Sequence, residues 1–269
     1  KRHILMIYSG KKVAEFLGDI TGAFDRVFKD FMMAKLQTTG IKSTYLNFLD
    51  AYLQPRRAQV MVEGEASDEF EISNTVFQGT VLGPVLWNVF FADVSIPAQS
   101  TGGESFKFAD DLSVFKGFRK TEENSEVLRQ MHVCRHRIHA WGRRNRVAFD
   151  AGKEHLVIIH PLVGEGNDFK LLGCLFDCKL TMKQAIEKVL CQIRPKIAAI
   201  LRTRQHYGEA DLIGQFKTHV WVIIEQNSGA VFHAARYLLE KLDATQNGFL
   251  QKLSLNEDVA FLKFNFAPH

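Results

Sequence analysis

The sequence predicts an α+β unit followed by a mostly helical one. Up to about residue 180, short apolar strands alternate with helical stretches; from 183 to 255 the strand patterns stop and amphipathic helices follow one another. Composition agrees: 46% hydrophobic and 24% charged residues in a chain of 269 are ordinary for a globular protein with one sizeable core or two smaller ones. The expected division is therefore 1–180 and 181–269.

In chain order, VAEFLGD (13–19) reads as a short strand ending on an aspartate. Phe24, Val27, Phe28, Phe31, Met32 and Leu36 then fall at helical spacing, with Gly40 as a stop. Thr44 to Leu53 is a second helix, closed by Pro55. RAQVMVEGEASDEFEIS reads as a hairpin turning at EGEAS, and LGPVLWNVFFADV as an apolar helix with Pro84 near its start. SFKFADDLSVF alternates on both sides of an acidic pair, the pattern of two strands joined by a tight turn. Thr121 to Arg146 is helical, HLVIIHP is a buried strand, and FKLLGCLFD with CKLTM forms another hairpin.

No apolar run reaches the roughly 18 residues of a membrane-spanning helix, so no membrane partner is expected. The chain begins on Lys1 and reads as a piece of something longer or a processed product. Its four cysteines fit reduced thiols in an intracellular protein; Cys174 and Cys178 lack a second pair and read as buried small hydrophobes. The net charge of +4 hides a segregation. Residues 127–149 hold six arginines, three histidines and no acid, and residues 188–208 hold five basic residues and no acid. Those windows contribute +11 and the rest of the chain −7. A phosphate backbone requires such a basic surface, although a solvated helix face has the same pattern.

The acids are placed as informatively. Asp110 and Asp111 fall at the tip of the expected hairpin, and Asp19 at the end of another strand. Aspartates at neighbouring strand ends can converge on magnesium, which takes hard oxygen ligands and leaves positions open for phosphate. Two such ions serve phosphoryl transfer.

Five segments together resemble a known family. DITGAFDRV (19–27), VFQGTVLGPVLWNVFF (76–91), FADDL (108–112), WGRRNRVAFDAGKEHLVII (141–159) and FKLLGCLFDCKL (169–180) look like motifs A to E of reverse transcriptases, in order. The resemblance is to the enzymes of non-LTR (LINE-like) retrotransposons and covers about residues 10 to 185. It implies a polymerase right-hand palm, an antiparallel sheet with packed helices, followed by a helical thumb. The fingers are largely absent, with 40–75 as a small remnant. The implied function is an RNA-directed DNA polymerase, a nucleotidyltransferase acting on a primer 3′-hydroxyl. The implied partners are an RNA template, a DNA primer and deoxynucleoside triphosphates. Two Mg²⁺ ions are the implied cofactors, with Mn²⁺ as a substitute, in the nucleus or cytoplasm of a eukaryotic cell.

Carried over by position, the resemblance makes Asp19, the Ile20 carbonyl, Asp110 and Asp111 metal ligands. Lys153 becomes the general acid for pyrophosphate, whereas on the residues alone it reads as a surface turn lysine. Phe24 becomes the aromatic that blocks a ribose 2′-hydroxyl, where helical spacing alone reads it as core. Gln78 and Gly79 contact template and nucleotide, and Leu172 and Gly173 grip the primer. Arg143, Arg144, Arg146, Lys196, Arg202 and Arg204 are candidates for the nucleic-acid backbone. The alternative is a catalytically inactive reverse-transcriptase-derived fragment that binds nucleic acid or serves as an interaction module. An RNA-dependent RNA polymerase, with a similar palm, stands further off.

Overall fold

The computed structural model describes residues 2–266. β1 (Lys11–Asp19) is the axis of the first unit. Seven consecutive residues, Lys12 to Gly18, are buried, so both faces of the strand must be covered. β1 pairs antiparallel with β7 (Asp111–Arg119), which pairs antiparallel with β6 (Glu104–Phe108); β8 (His155–Ile159) closes the order β6–β7–β1–β8.

Alternation along β1 assigns the faces. Ala14 and Phe16 enter the main core with the apolar stripe of α6 (Asn124–Asn145): Val127, Met131, Cys134, Ile138 and Trp141. α2 (Lys29–Gln37) and α4 (Gly83–Phe91) supply Met32, Leu36, Leu86, Trp87 and Phe90 to the same core. We call this helix-covered side the back. The other side, the front, carries Glu15 and, across the ladder, Phe115. There α1 (Arg2–Tyr8) packs: the His3 ring sits tilted against Phe115 with ring centres 4.3 Å apart, and Met6 lies over Gly117.

The remaining elements of this unit are small. α3 (Ser43–Tyr52) leads into two nested ribbons, β2 (Arg56–Ala58) with β5 (Phe70–Ile72) and β3 (Met61–Val62) with β4 (Glu65–Ala66). The expected single hairpin is thus interrupted, and its turn is Glu63–Gly64, both at positive φ. α5 (Ser95–Gln99) bridges α4 to β6.

The helix expected from Phe24 to Leu36 is broken. Residues 24–26 form a 3-10 turn, Val27 and Phe28 are extended, and α2 starts only at Lys29. The Phe24 carbonyl accepts from the Val76 amide (2.8 Å) and the Thr75 hydroxyl (3.0 Å) instead of from a helical turn.

The chain divides compactly after Ile158, ahead of the compositional switch near 180. The second unit starts with a small ribbon, β9 (Phe169–Leu171) and β10 (Cys174–Phe176), turning at Leu172–Gly173. CKLTM is not its return strand. The Asp177 carboxylate accepts the amides of Lys179, Thr181 and Met182, winding that segment into the start of the next helix. The helices are α7 (Lys183–Arg202), α8 (Glu209–Phe216), α9 (Val222–Val231), α10 (Arg236–Lys252) and α11 (Glu257–Phe264), with a π turn at Lys217–Trp221. Their core includes Ile186, Leu190, Ile193, Phe216, Leu242 and Phe249, joined at its edge by Leu175 and Phe176 of β10. Among the described residues no helix is long and apolar enough to cross a membrane.

Candidate active site

The β1–β7 register sets Asp19 directly opposite Asp111. Opposed residues of an antiparallel pair share a face, so both carboxylates belong to the front, beyond Glu15 and Phe115. Asp110 is the second residue of the two-residue turn that joins β6 to β7, with Phe108 paired to Asp111. The first turn residue, Ala109, sits in the left-handed region at φ 52°, a conformation that a non-glycine residue adopts only under constraint. The constraint is visible: the Trp87 indole N–H donates to the Ala109 carbonyl at 2.7 Å. Trp87 is 1% exposed, and Phe24 stacks on it with ring centres 5.6 Å apart. One buried ring from the back layer thus touches both the acidic turn and the aromatic after Asp19. Motif reading did not single out Trp87, because its task is a hydrogen bond to a backbone oxygen 22 residues on.

Lys153 reaches this cluster from the loop before β8. The Asp150 amide donates to the Asp19 carbonyl (2.9 Å), and the Thr21 amide to Ala148 (2.9 Å), which fixes the loop alongside β1. Asp150 then closes a turn by accepting from the Gly152 and Lys153 amides. From there the Lys153 ammonium lies 2.5 Å from the Asp19 carboxylate and 3.9 Å from Asp150. That hydrogen bond and charge push the Lys153 pKa up. The Asp111 carboxyl is also pushed up, first by partial burial and then by the negative charges of Asp110 and Asp19.

This electrostatic pattern decides whether a divalent cation fits. Three carboxylates are concentrated at one strand end, one already neutralised by an ammonium and another strained by its neighbours' charge. Such a set gains from a hard cation. Among the described residues no three acid, histidine or cysteine side chains already converge on one point, so the donors fit by type and adjacency rather than as a closed cage.

Of the nucleotide and template candidates, Phe24 is tied to the acidic turn through Trp87. Phe24 is half-buried. Gln78 and Gly79 are exposed in the turn before α4, with Gly79 at φ 78°. That φ, not a close approach, is what requires glycine: a Cβ there would meet nothing within 4 Å. The tight approach falls at Gly83, where a Cβ would sit 3.0 Å from the Phe77 carbonyl.

Other candidates lie elsewhere. Leu172 (φ 49°) and Gly173 (φ 83°) are the exposed turn of the β9–β10 ribbon in the second unit. Lys196, Arg202 and Arg204 are exposed on and just after α7 in that unit. Arg143 and Arg144 are exposed on α6, on the back of the sheet. Arg146 is engaged, its guanidinium 4.8 Å from the Phe28 ring centre and 5.5 Å from that of Phe31. Trp141 is buried and donates to Asp93 (2.9 Å), a packing role. Cys174 and Cys178 are half-buried rather than core, and all four cysteines are free.

A family model described as reverse transcriptase (RNA-dependent DNA polymerase) matches residues 8–176, more than half of the chain, and the chain belongs to that family. It is 29% identical over 211 residues to the probable RNA-directed DNA polymerase from transposon X-element of Drosophila melanogaster, covering 72% of this chain and 23% of that protein. With the RNA-directed DNA polymerase from mobile element jockey of Drosophila funebris it shares 24% over 261 residues, 88% of this chain and 28% of that one. These relatives bear out the resemblance to non-LTR enzymes, and the chain spans about a quarter of their length. Telomerase from Candida tropicalis, solved with a TWJ fragment of telomeric RNA, is similar at TM-score 0.47 and 10% identity over 94% of this chain and 44% of that one, a likeness too distant to carry weight.

Proposed function

We propose that this chain is the catalytic core of an RNA-directed DNA polymerase, joining a deoxynucleotide to a primer 3′-hydroxyl on an RNA template. The observation that carries the reading is the Asp19–Asp111 opposition with Asp110 at the turn and Lys153 on Asp19. Asp19, the Ile20 carbonyl, Asp110 and Asp111 would hold two Mg²⁺ ions. When bound, such ions activate the attacking hydroxyl and neutralise charge on the transferring phosphoryl group.

The protein's own groups do the rest. Lys153 holds a proton at Nζ beside the carboxylates, positioned for the departing pyrophosphate. Phe24, braced by Trp87, offers a rigid edge against a ribose 2′-hydroxyl. In this reading Gln78 and Gly79 contact template and nucleotide, and Leu172–Gly173 is the primer-contacting turn. The exposed Lys196, Arg202 and Arg204 supply backbone cations in the second unit. In the cell this reading fits the nucleus or cytoplasm of a eukaryote.

The test is Mg²⁺-dependent extension of oligo-dT on poly-rA by this chain. Extension that disappears in Asp110→Ala/Asp111→Ala supports the proposal. Extension that survives the double substitution refutes it.

A further inference from the structure

The six arginines of residues 127–149 have different surroundings. Arg129 pairs with Glu126 (2.7 Å), Arg135 with Glu154 (2.5 Å), and Arg146 rests on two rings. The other three, Arg137, Arg143 and Arg144, have no acidic partner among the described residues, and all three line one cavity of about 610 Å³ between α5 and α6. Its wall includes Ser100, Ile96 and Pro97, and no acid. Arg137 is held in place there, donating to the Ser100 hydroxyl at 2.8 Å and to its carbonyl at 3.3 Å.

This is an unneutralised cluster of three cations with a preset member, on the back of the sheet. Cations in the last turn of α6 are favoured by the helix dipole, which accounts for Arg143 and Arg144 singly. It does not account for Arg137, two turns earlier. Seven residues of helix span about 10 Å, more than a single phosphate group can bridge. The cluster therefore suits successive phosphates of a polymer better than one phosphate. The exposed aliphatic side chain of Ile96 beside the guanidiniums suits a sugar or base edge.

We propose that this cavity is a second nucleic-acid site, which takes the phosphodiester backbone of a single strand on the side of the sheet away from the carboxylates. It does not depend on the catalytic reading.

The experiment is fluorescence anisotropy of a labelled 20-nucleotide oligo-dT with the full chain across a salt series. Arg137→Gln/Arg143→Gln/Arg144→Gln should weaken binding by at least about tenfold, and the slope of log affinity against log salt should fall by about 2, three phosphate contacts at ~0.7 each. Arg143→Gln/Arg144→Gln, which leaves the Arg137–Ser100 bonds intact, should lower the slope by about 1.4 on the same scale. It serves if the triple variant shows a lowered melting temperature. Asp19→Asn/Asp110→Asn/Asp111→Asn should keep the full slope, so loss of catalysis and loss of this site are separable. Unchanged affinity and slope in the arginine variants would overturn the proposal. So would displacement of the oligonucleotide by poly-glutamate at equal charge, which would point to an acidic protein instead.

Discussion

The two faces of the central sheet are built from the same strands and carry opposite charge. On the front, Asp19 and Asp111 face each other across one ladder, and the nearest cation, Lys153, arrives from a loop. On the back, α6 presents arginines, three of them without an acidic partner among the described residues. Alternation along β1 turns the carboxylates to one side, and α6 packs on the other, so the two sets stay apart within one compact unit. The front concentrates negative charge that a cation must relieve. The back concentrates positive charge that only an anion can. The overall +4 records neither.

The largest expected effect breaks the front alone. Asp19→Asn or Asp111→Asn should lower primer extension by up to about 10³-fold, by analogy with loss of a preorganised electrostatic group, while leaving oligonucleotide affinity intact. Next comes Lys153→Met. It removes the proton at Nζ and should slow extension by about 10²-fold, the low end of general-acid contributions, measured under single-turnover conditions. Equal rates for Lys153→Met and the parent chain would leave Lys153 as a surface residue.

Trp87→Phe asks how far the back layer supports the front. The ring and its stacking on Phe24 survive, but the Ala109 carbonyl loses its donor. A loss of about 1–2 kcal/mol in urea unfolding is expected, with a fall in kcat of several-fold and little change in KM. A variant with unaltered kcat would show that the acidic turn holds its shape without the indole.

These side chains also mark what the sequence could and could not disclose. The acidic hairpin was legible because strand alternation and a two-residue turn are local. So were α6 and the helices after 183, whose stripes repeat every three to four residues. The break after Phe24 was not, since its carbonyl is claimed by Thr75 and Val76 some fifty residues away. The hairpin at 56–72 and its turn at EGEAS were legible, but not its interruption into two nested ribbons: Val60, Met61 and Val62 are exposed, so their pattern records no buried face. Among the site residues, Asp19, Asp110 and Asp111 were readable from strand ends and the turn. Lys153 was readable only through the family resemblance, because a backbone bond from Asp150 to Asp19 brings it in. Arg143 and Arg144 were visible as charge, but not the face they occupy.

The smallest effect concerns the covered half of the front. Burial raises the Glu15 pKa to about 7, opposed by the Ser113 hydroxyl that donates to it, and burial lowers His3 to about 4. Between about pH 4.5 and 6.5 the folded chain keeps a proton on Glu15 and none on His3, and the unfolded chain the reverse. The two contributions cancel, so this pair adds no slope to stability in that window, and Glu15→Gln should make the profile steeper than the parent's. In Glu15→Gln the His3 contribution is no longer offset by Glu15. The unfolded state then binds the extra proton, so stability should rise with pH from about 4 to 6.5, approaching about 1.4 kcal/mol per pH unit. Urea midpoints at half-unit intervals would show it; a variant profile no steeper than the parent's contradicts the assignment.

The separation of the two faces is tested most directly by Mn²⁺ binding, followed by electron paramagnetic resonance of the free ion. The chain should take up Mn²⁺ in competition with Mg²⁺. Asp19→Asn/Asp110→Asn/Asp111→Asn should lose that uptake, and Arg137→Gln/Arg143→Gln/Arg144→Gln should keep it. Equal uptake by the parent chain and the aspartate variant would mean that the opposed carboxylates do not hold the metal.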